Sequence, residues 1–356
     1  MLTILMGRAK TGKSDTVLRR IAELGDSGRQ ILLVPEHASH QAEVDLCRAC
    51  GPTASRHAEV LSFRRLSDRV LAITGGIAQV TLDAGGKLLT LQKALTEVMP
   101  SLTVYRRPSQ KSAFLQQLLA LLDELRCYEV SPENLYAQAQ NITGATHDKL
   151  CDLSLLYGAY EARLRRPGVD ARDRMTKLCD SLEDSGYACG KDIFIDGFTY
   201  FNAQERRALS VLLRQARSVT VTLLGEPNSR EEIFGASLKT LGQLRRVAEQ
   251  ERCPVEIQVL KRRDNTALGH VERYFFGENV PFEGDSGAIC IREADNVFSE
   301  VEQTAADILR LVAAGKCRYR DITVAARNMG DYEGVIETVF ERYGIPAYLS
   351  RRSDIL

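Results

Sequence analysis

The chain carries no net charge: 47 lysines and arginines balance 47 aspartates and glutamates over 356 residues. A neutral chain makes no bulk field to recruit nucleic acid, so any such contact must come from local patches. Arg64-Arg65, Arg106-Arg107, Arg163/Arg165/Arg166, Lys261-Arg262-Arg263 and Arg351-Arg352 are the candidates, and each alone reads first as a solvated face. No apolar run reaches the roughly 18 residues that a membrane span needs. The short apolar stretch at the N-terminus runs straight into a glycine-containing loop, which is not the layout of a signal peptide. Nine cysteines, an odd number scattered between Cys47 and Cys317, do not make a disulfide framework and read as the thiols of a cytoplasmic protein.

One cluster resembles a zinc ligand set, His37-x-x-His40 followed by Cys47-x-x-Cys50. Ala38 to Arg48 reads as one helix, which would separate His40 and Cys47 by about 10 Å along its axis. Ligands so spread cannot share a tetrahedral ion with bonds of roughly 2.0–2.3 Å unless the chain bends, so no metal is expected there.

What is present is ordinary in bulk and specific at the start. Hydrophobic residues at 44% and charged residues at 26% describe a globular protein long enough for two or three domains. An apolar segment, Leu2-Thr3-Ile4-Leu5-Met6, leads into Gly7-Arg8-Ala9-Lys10-Thr11-Gly12-Lys13-Ser14 and then a helical pattern from Asp15 to Leu24. This is G-x-x-x-x-G-K-S between a strand and a helix. The glycines let successive N–H groups turn toward phosphate oxygens, and the helix N-terminus adds a positive end. Lys13 would reach the β- and γ-phosphates, and Ser14 would offer its hydroxyl to Mg²⁺. A chance glycine turn would match the spacing but not the flanking strand and helix. A bound nucleoside triphosphate is therefore expected.

The first eighty residues alternate strand and helix, with strands at Ile31–Val34 and around Glu59–Leu61, which implies a parallel sheet covered on both faces. From about Asp83 to Tyr187 the apolar residues recur every three or four positions, as in Leu88-Leu89-Leu91-Leu95 and Phe114-Leu115-Leu118-Leu119-Leu122-Leu125. Ser131-Pro132-Glu133 reads as a helix start. The strand pattern returns at Ile193–Phe198 and Val219–Leu224, and a third region from near Ile289 holds a helix to Val312 and a strand at Ile322–Ala326 before Arg327. The expected organisation is a P-loop, RecA-like α/β core at 1–82 and 190–284, a helical insertion at 83–189, and the beginning of a second α/β domain at 285–356.

Asp196, at the carboxyl end of its strand, is the expected second Mg²⁺ ligand; a turn-capping aspartate is the plainer alternative. ATP-driven motors generally carry Glu immediately after this Asp, to orient the attacking water. Here the position is Gly197, and Glu205 lies beyond a turn. Binding with weak or absent hydrolysis is expected. The loop begins at residue 7, with no upstream segment for an adenine-reading glutamine, so loose base selectivity is also expected.

Taken together, the loop at 7–14, Leu33-Val34-Pro35-Glu36 with Gln41-Ala42-Glu43, Val60-Leu61-Ser62-Phe63-x-x-Leu66, and Ile195-Asp196-Gly197-Phe198-Thr199-x-Phe201 with Gln204-Glu205 resemble the B-subunit family of AddAB (RexAB) helicase–nucleases. These are relatives of the UvrD-like superfamily 1 helicases. The Asp-Gly-Phe-x-x-Phe run is the most specific part, and the resemblance covers essentially the whole chain, most weakly in the helical insertion. It implies single-stranded DNA contact at Ser62 and Phe63, with Arg64 beside them. It also implies that Arg327 reaches the γ-phosphate from the second motor domain, with Glu300 and Glu302 in the segment before it.

It further implies ATP and Mg²⁺ as cofactors, an AddA-type subunit supplying the translocating motor, and double-stranded DNA ends and single-stranded DNA as partners. The family role is to process double-strand breaks for recombinational repair and to recognise the hotspot sequence Chi. A nuclease domain tied by an iron–sulfur cluster would lie beyond residue 356, so the chain reads as a piece of a longer protein. The alternative is an active superfamily 1 motor, but the segment after Val221, Thr222-Leu223-Leu224-Gly225-Glu226-Pro227-Asn228, lacks the Gly-Asp-x-x-Gln pattern a motor needs. A small-molecule P-loop kinase would share the loop but not the region ending in Arg327, and would close a basic lid that the sequence does not display. A protein-interaction module with a vestigial loop would have no use for both Lys13 and Ser14.

Overall fold

A computed structural model describes residues 1–75, 82–107, 111–164, 174–262 and 266–349. Arg165, Arg166, Arg263, Arg351 and Arg352 of the basic clusters lie outside the described residues. Two compact units divide the chain, Met1–Pro281 and Phe282–Leu356.

The first unit is built on a six-stranded sheet: β1 Leu2–Gly7, β2 Gln30–Leu33, β3 Ala58–Leu61, β4 Asp192–Ile195, β5 Ser218–Leu224 and β6 Val255–Val259. The strand order is β3-β2-β4-β5-β1-β6, and every pairing is parallel. Parallel strands need crossover helices, and these cover both faces, which is why the inner strands are buried along nearly their whole length. Alternation of side chains along β1 divides the core in two. Leu2, Ile4 and Met6 face one side, packed with α3 (Phe63–Thr74), α8 (Arg174–Ser185), α9 (Ala203–Gln215) and α10 (Gly235–Gln250). Leu5 faces the other, with α1 (Lys13–Leu24) and α2 (Ser39–Cys50). In α1 the buried Val17 and Ile21 sit four apart on one face, and Gly25, at φ 45°, ends the helix by returning its N–H to the Ile21 carbonyl.

A separate helical core forms from α4 (Ala84–Val98), α5 (Ser112–Cys127) and α7 (Ala145–Leu164), through Leu91, Leu95, Leu118, Leu122, Tyr157 and Tyr160, and α6 (Pro132–Ala139) packs on α7. Ser131 caps α6 from the Asn134 N–H, with Pro132 in the first turn. Asp152 of α7 is buried and accepts the backbone N–H groups of Thr103, Val104 and Tyr105 at 3.0, 2.7 and 2.9 Å, pinning the segment before α5 to α7. The helical stretch read at 83–189 takes in α8, but Leu178, Cys179 and Leu182 of α8 pack with the sheet, so this helix belongs to the α/β core.

The second unit packs α12 (Val297–Ala313) against α13 (Glu333–Arg342) through Val301, Ala305, Ile308, Ile336, Val339 and Phe340. The strand expected at Ile322–Ala326 does not form: these residues carry no ladder pairing. A strand exists only by pairing, and the described residues of this unit offer no other strand to take its N–H and C=O groups. Among the described residues no helix is long and apolar enough to cross a membrane.

Candidate functional site

Because all six strands run parallel, their carboxyl ends share one edge, the side on which open α/β sheets take ligands. Onto it fall the Gly7–Ser14 loop after β1, Glu36 after β2, Ser62–Arg64 after β3, Asp196 after β4 and Gly225 after β5.

The loop is tightly specified. A Cβ on Gly7 would lie 2.8 Å from the Leu260 carbonyl oxygen, so only glycine fits where the loop leaves the sheet. Lys10 and Gly12 both take positive φ, 57° and 81°, which turns the chain back on itself before α1. Among the described residues no side chain caps the N-terminus of α1. The Gly225 N–H donates to the Gly7 carbonyl at 3.0 Å, tying the end of β5 to the loop. Lys13 folds inward and donates to the carbonyls of Gly7 at 2.7 Å and Arg8 at 2.8 Å. Burial lowers its pKa, and the charges of Asp196 and Glu272 oppose that shift.

Arg8 is held by two carboxylates. Its Nε donates to Glu272 at 3.0 Å and its Nη1 to Glu231 at 2.7 Å, and its guanidinium lies 4.9 Å from the Phe234 ring centroid. Ala9 and Lys10 are exposed, and Thr11 donates its hydroxyl to the Arg8 carbonyl at 2.9 Å. Ser14 is the exposed second residue of α1.

Asp196 follows β4 directly, and its carboxylate accepts the hydroxyl of Thr222, a buried residue of β5. β5 lies between β1 and β4, so Thr222 bridges from the strand beside the loop to the aspartate. Gly197 has φ 82°. Glu205 is committed elsewhere: its carboxylate accepts the Asn202 N–H at 2.9 Å while Asn202 caps the Glu205 N–H at 2.8 Å, a capping box that starts α9. Burial raises the Glu205 pKa, against the opposing Asn202 hydrogen bond and Arg206 charge.

Ser62 is buried, accepts the Arg65 N–H at 3.2 Å as the cap of α3, and donates to Glu36. Phe63 is also buried, with its ring centroid 5.6 Å from Phe198, which stacks in turn on Phe201. Arg64 is exposed. Arg327 belongs to the second unit, where it is exposed and lines a cavity of 560 Å³ with Glu300 and Tyr332. Tyr332 donates to Glu300 at 3.0 Å, and Glu302 accepts from Arg342 at 3.2 Å.

The residues around the loop fit a magnesium–triphosphate group: a half-buried ammonium bonded to backbone carbonyls, an uncapped helix N-terminus, and one carboxylate fixed by a hydroxyl. Mg²⁺ commonly takes only one or two carboxylates, with phosphates and waters completing its octahedron. An iron–sulfur cluster does not fit here, since among the described residues no group of three or more His, Cys, Asp or Glu could hold a metal ion. His40, Cys47 and Cys50 lie along α2, with His37 in the short turn before it. Sequence reasoning missed Thr222, Glu231, Glu272 and Phe234; only Thr222, a polar residue inside a buried strand, left any signal.

Comparison with known proteins gives a family model described as "ADDB, N-terminal" matching residues 4–272. Among curated proteins the chain is 32% identical over 370 residues to the B-subunit of the ATP-dependent helicase/deoxyribonuclease from Thermoanaerobacter sp. (strain X514), covering 99% of this chain and 32% of that protein. It is 32% identical over 376 residues to the protein of the same name from Bacillus mycoides (strain KBAB4), again covering 99% and 32%. The counterpart from Clostridioides difficile (strain 630) is 29% identical over 377 residues, with the same coverage. The chain thus spans about a third of the length of these curated relatives.

Proposed function

The chain belongs to the ADDB N-terminal family, and on that premise we propose that it is the nucleotide-binding, hydrolysis-silent helicase-like part of a helicase–nuclease subunit that processes double-stranded DNA ends for recombinational repair. The observation that carries this reading is the pairing of an ordered Gly7–Ser14 loop with a left-handed Gly197 directly after Asp196. The loop offers a triphosphate its N–H groups, the α1 N-terminus and the Lys13 ammonium. Ser14 and Asp196 would hold Mg²⁺, which supplies neutralisation of phosphate charge. No carboxylate follows Asp196 to orient a water, and Glu205 is engaged in its capping box. An active motor is the reading these two observations weigh against.

Single-stranded DNA would pass the turn at Ser62–Arg64, where Ser62 and Phe63 fix the turn from within and Arg64 offers its charge to phosphate. An AddA-type partner would supply translocation, and the whole protein's nuclease chemistry would belong to the parts of the relatives that this chain does not match. Nine thiols without a disulfide framework in the sequence suit a cytoplasmic setting.

Calorimetric titration of ATP–Mg²⁺ into the chain and into Lys13→Ala tests the nucleotide site. Loss of a charge-assisted phosphate contact should cost about 1.5–3 kcal/mol of binding free energy. Equal binding by the two proteins would refute the site.

A further inference from the structure

Two glutamates that no motif marks hold the Gly7–Ser14 loop from outside, and they are not equivalent. Among the described residues the carboxylate of Glu231, just before the turn at Glu232–Phe234, bonds only the Arg8 guanidinium, through Nη1 at 2.7 Å and Nη2 at 3.1 Å. That of Glu272, on α11 (Ala267–Tyr274), bonds Arg8 Nε at 3.0 Å and also accepts the Ala9 N–H of the loop at 3.4 Å. Its charge reaches Lys13 as well, where it favours the protonated ammonium. Arg8 Nη2 further donates to the Glu272 carbonyl at 2.8 Å, which fixes the backbone of α11 against the loop.

We propose that Glu272 is an affinity-setting residue, a resident carboxylate that competes with the polyphosphate of a nucleotide for the loop. The inference rests on the nucleotide-binding reading above. A full negative charge on a loop N–H, close to the clasp of Lys13 on the loop carbonyls, opposes the charge of an incoming phosphate chain and uses a donor that chain would need. The paired arrangement lets this carboxylate yield without stranding a cation. When Glu272 withdraws, Arg8 keeps both bonds to Glu231, the two backbone carbonyls of α11 and the Phe234 ring, so no buried charge is left bare. A single glutamate could not both hold Arg8 and make way for phosphate.

The test is titration of ATP–Mg²⁺ into the 356-residue chain and its variants at low salt, with thermal unfolding of each recorded alongside. Glu272→Gln keeps the shape and removes the charge, and it should bind about tenfold more tightly than the parent. Glu231→Gln should change affinity by no more than about twofold, because its carboxylate meets the loop only through the Arg8 guanidinium and takes none of the loop N–H groups that a phosphate would use. Glu272→Asp retains the charge but draws it back by one methylene, and should fall between parent and Gln; it carries the comparison if the Gln variant unfolds early. Unchanged or weaker binding by both Glu272 variants would overturn the inference, as would equal tightening by Glu231→Gln. If binding is also indifferent to Lys13→Ala, the nucleotide site itself falls. If Lys13→Ala weakens binding and Glu272→Gln does nothing, only the competing role of Glu272 falls.

Discussion

Gly197 stands against Pro35: a Cβ placed on it would lie 3.4 Å from Pro35 Cδ, on a backbone already at φ 82°. The residue after the candidate Mg²⁺ aspartate is therefore a glycine by conformation, and not merely a position from which a glutamate is missing. Replacing it with Glu forces an L-residue into left-handed space and should cost roughly 1–2 kcal/mol of stability. Chemical denaturation of Gly197→Glu should show that loss, and phosphate release should stay at the parent's level. A variant as stable as the parent would mean that the backbone there is freer than its φ implies.

Thr222 and Asp196 give a second handle. Thr222→Val keeps the buried volume in β5 but removes the hydroxyl that orients the carboxylate. ATP affinity with Mg²⁺ should fall by about 1 kcal/mol, roughly fivefold, while affinity in chelator stays as in the parent. Titrations with and without Mg²⁺ separate the two, and an equal loss in both would remove Asp196 from the metal.

On the proposed function, Lys13 would make nucleotide binding depend on protons. Its folded-state pKa is depressed by burial below the ordinary 10.5, so between the two values the unfolded chain holds more protons and the cost of its burial declines as pH rises through that window. A polyphosphate favours the ammonium and raises the pKa again. Binding just below pH 10.5 should therefore take up protons. Titrations just below pH 10.5 in two buffers of different ionisation enthalpy would reveal the uptake as a difference in apparent heat, and equal heats would contradict it.

In the helical core, Tyr160 is fully buried, its hydroxyl has no hydrogen-bond partner among the described residues, and burial pushes its pKa up to about 12. Tyr160→Phe should raise stability by about 1 kcal/mol, measured by urea denaturation, because it removes a polar group that was desolvated without compensation. The Arg126 guanidinium, 5.2 Å from the ring centroid, keeps its aromatic face. The parent should lose stability as pH rises from about 10, where the unfolded phenol ionises, toward 12, and the Phe variant should lack that part of the slope.

Much of the fold was legible because its signals are local. The glycine spacing of residues 7–14, the short apolar runs of β2 and β4 and the β-branched residues of β5 each state their structure within a few residues. β6 was not legible. Val255-Glu256-Ile257-Gln258-Val259 is a short, half-exposed alternation that becomes a strand only because β1 presents a free edge to it. Ile322–Ala326 failed in the opposite sense, with strand-like composition and no pairing. The loop's outer clasp was invisible for a similar reason: Glu231 lies 223 and Glu272 264 residues from Arg8, and neither belongs to a periodic pattern that would single it out. Ser62 and Phe63 were singled out by the family resemblance, and only packing reveals that one caps α3 and the other is buried against Phe198.

The central claim is that this chain holds a triphosphate without turning it over, and the direct measurement is phosphate release from ATP–Mg²⁺, followed with and without single-stranded DNA in the samples used for calorimetric binding. Saturable binding that depends on Lys13, with release unchanged by DNA, is the result expected. Brisk release stimulated by single-stranded DNA would contradict the account and identify an active motor.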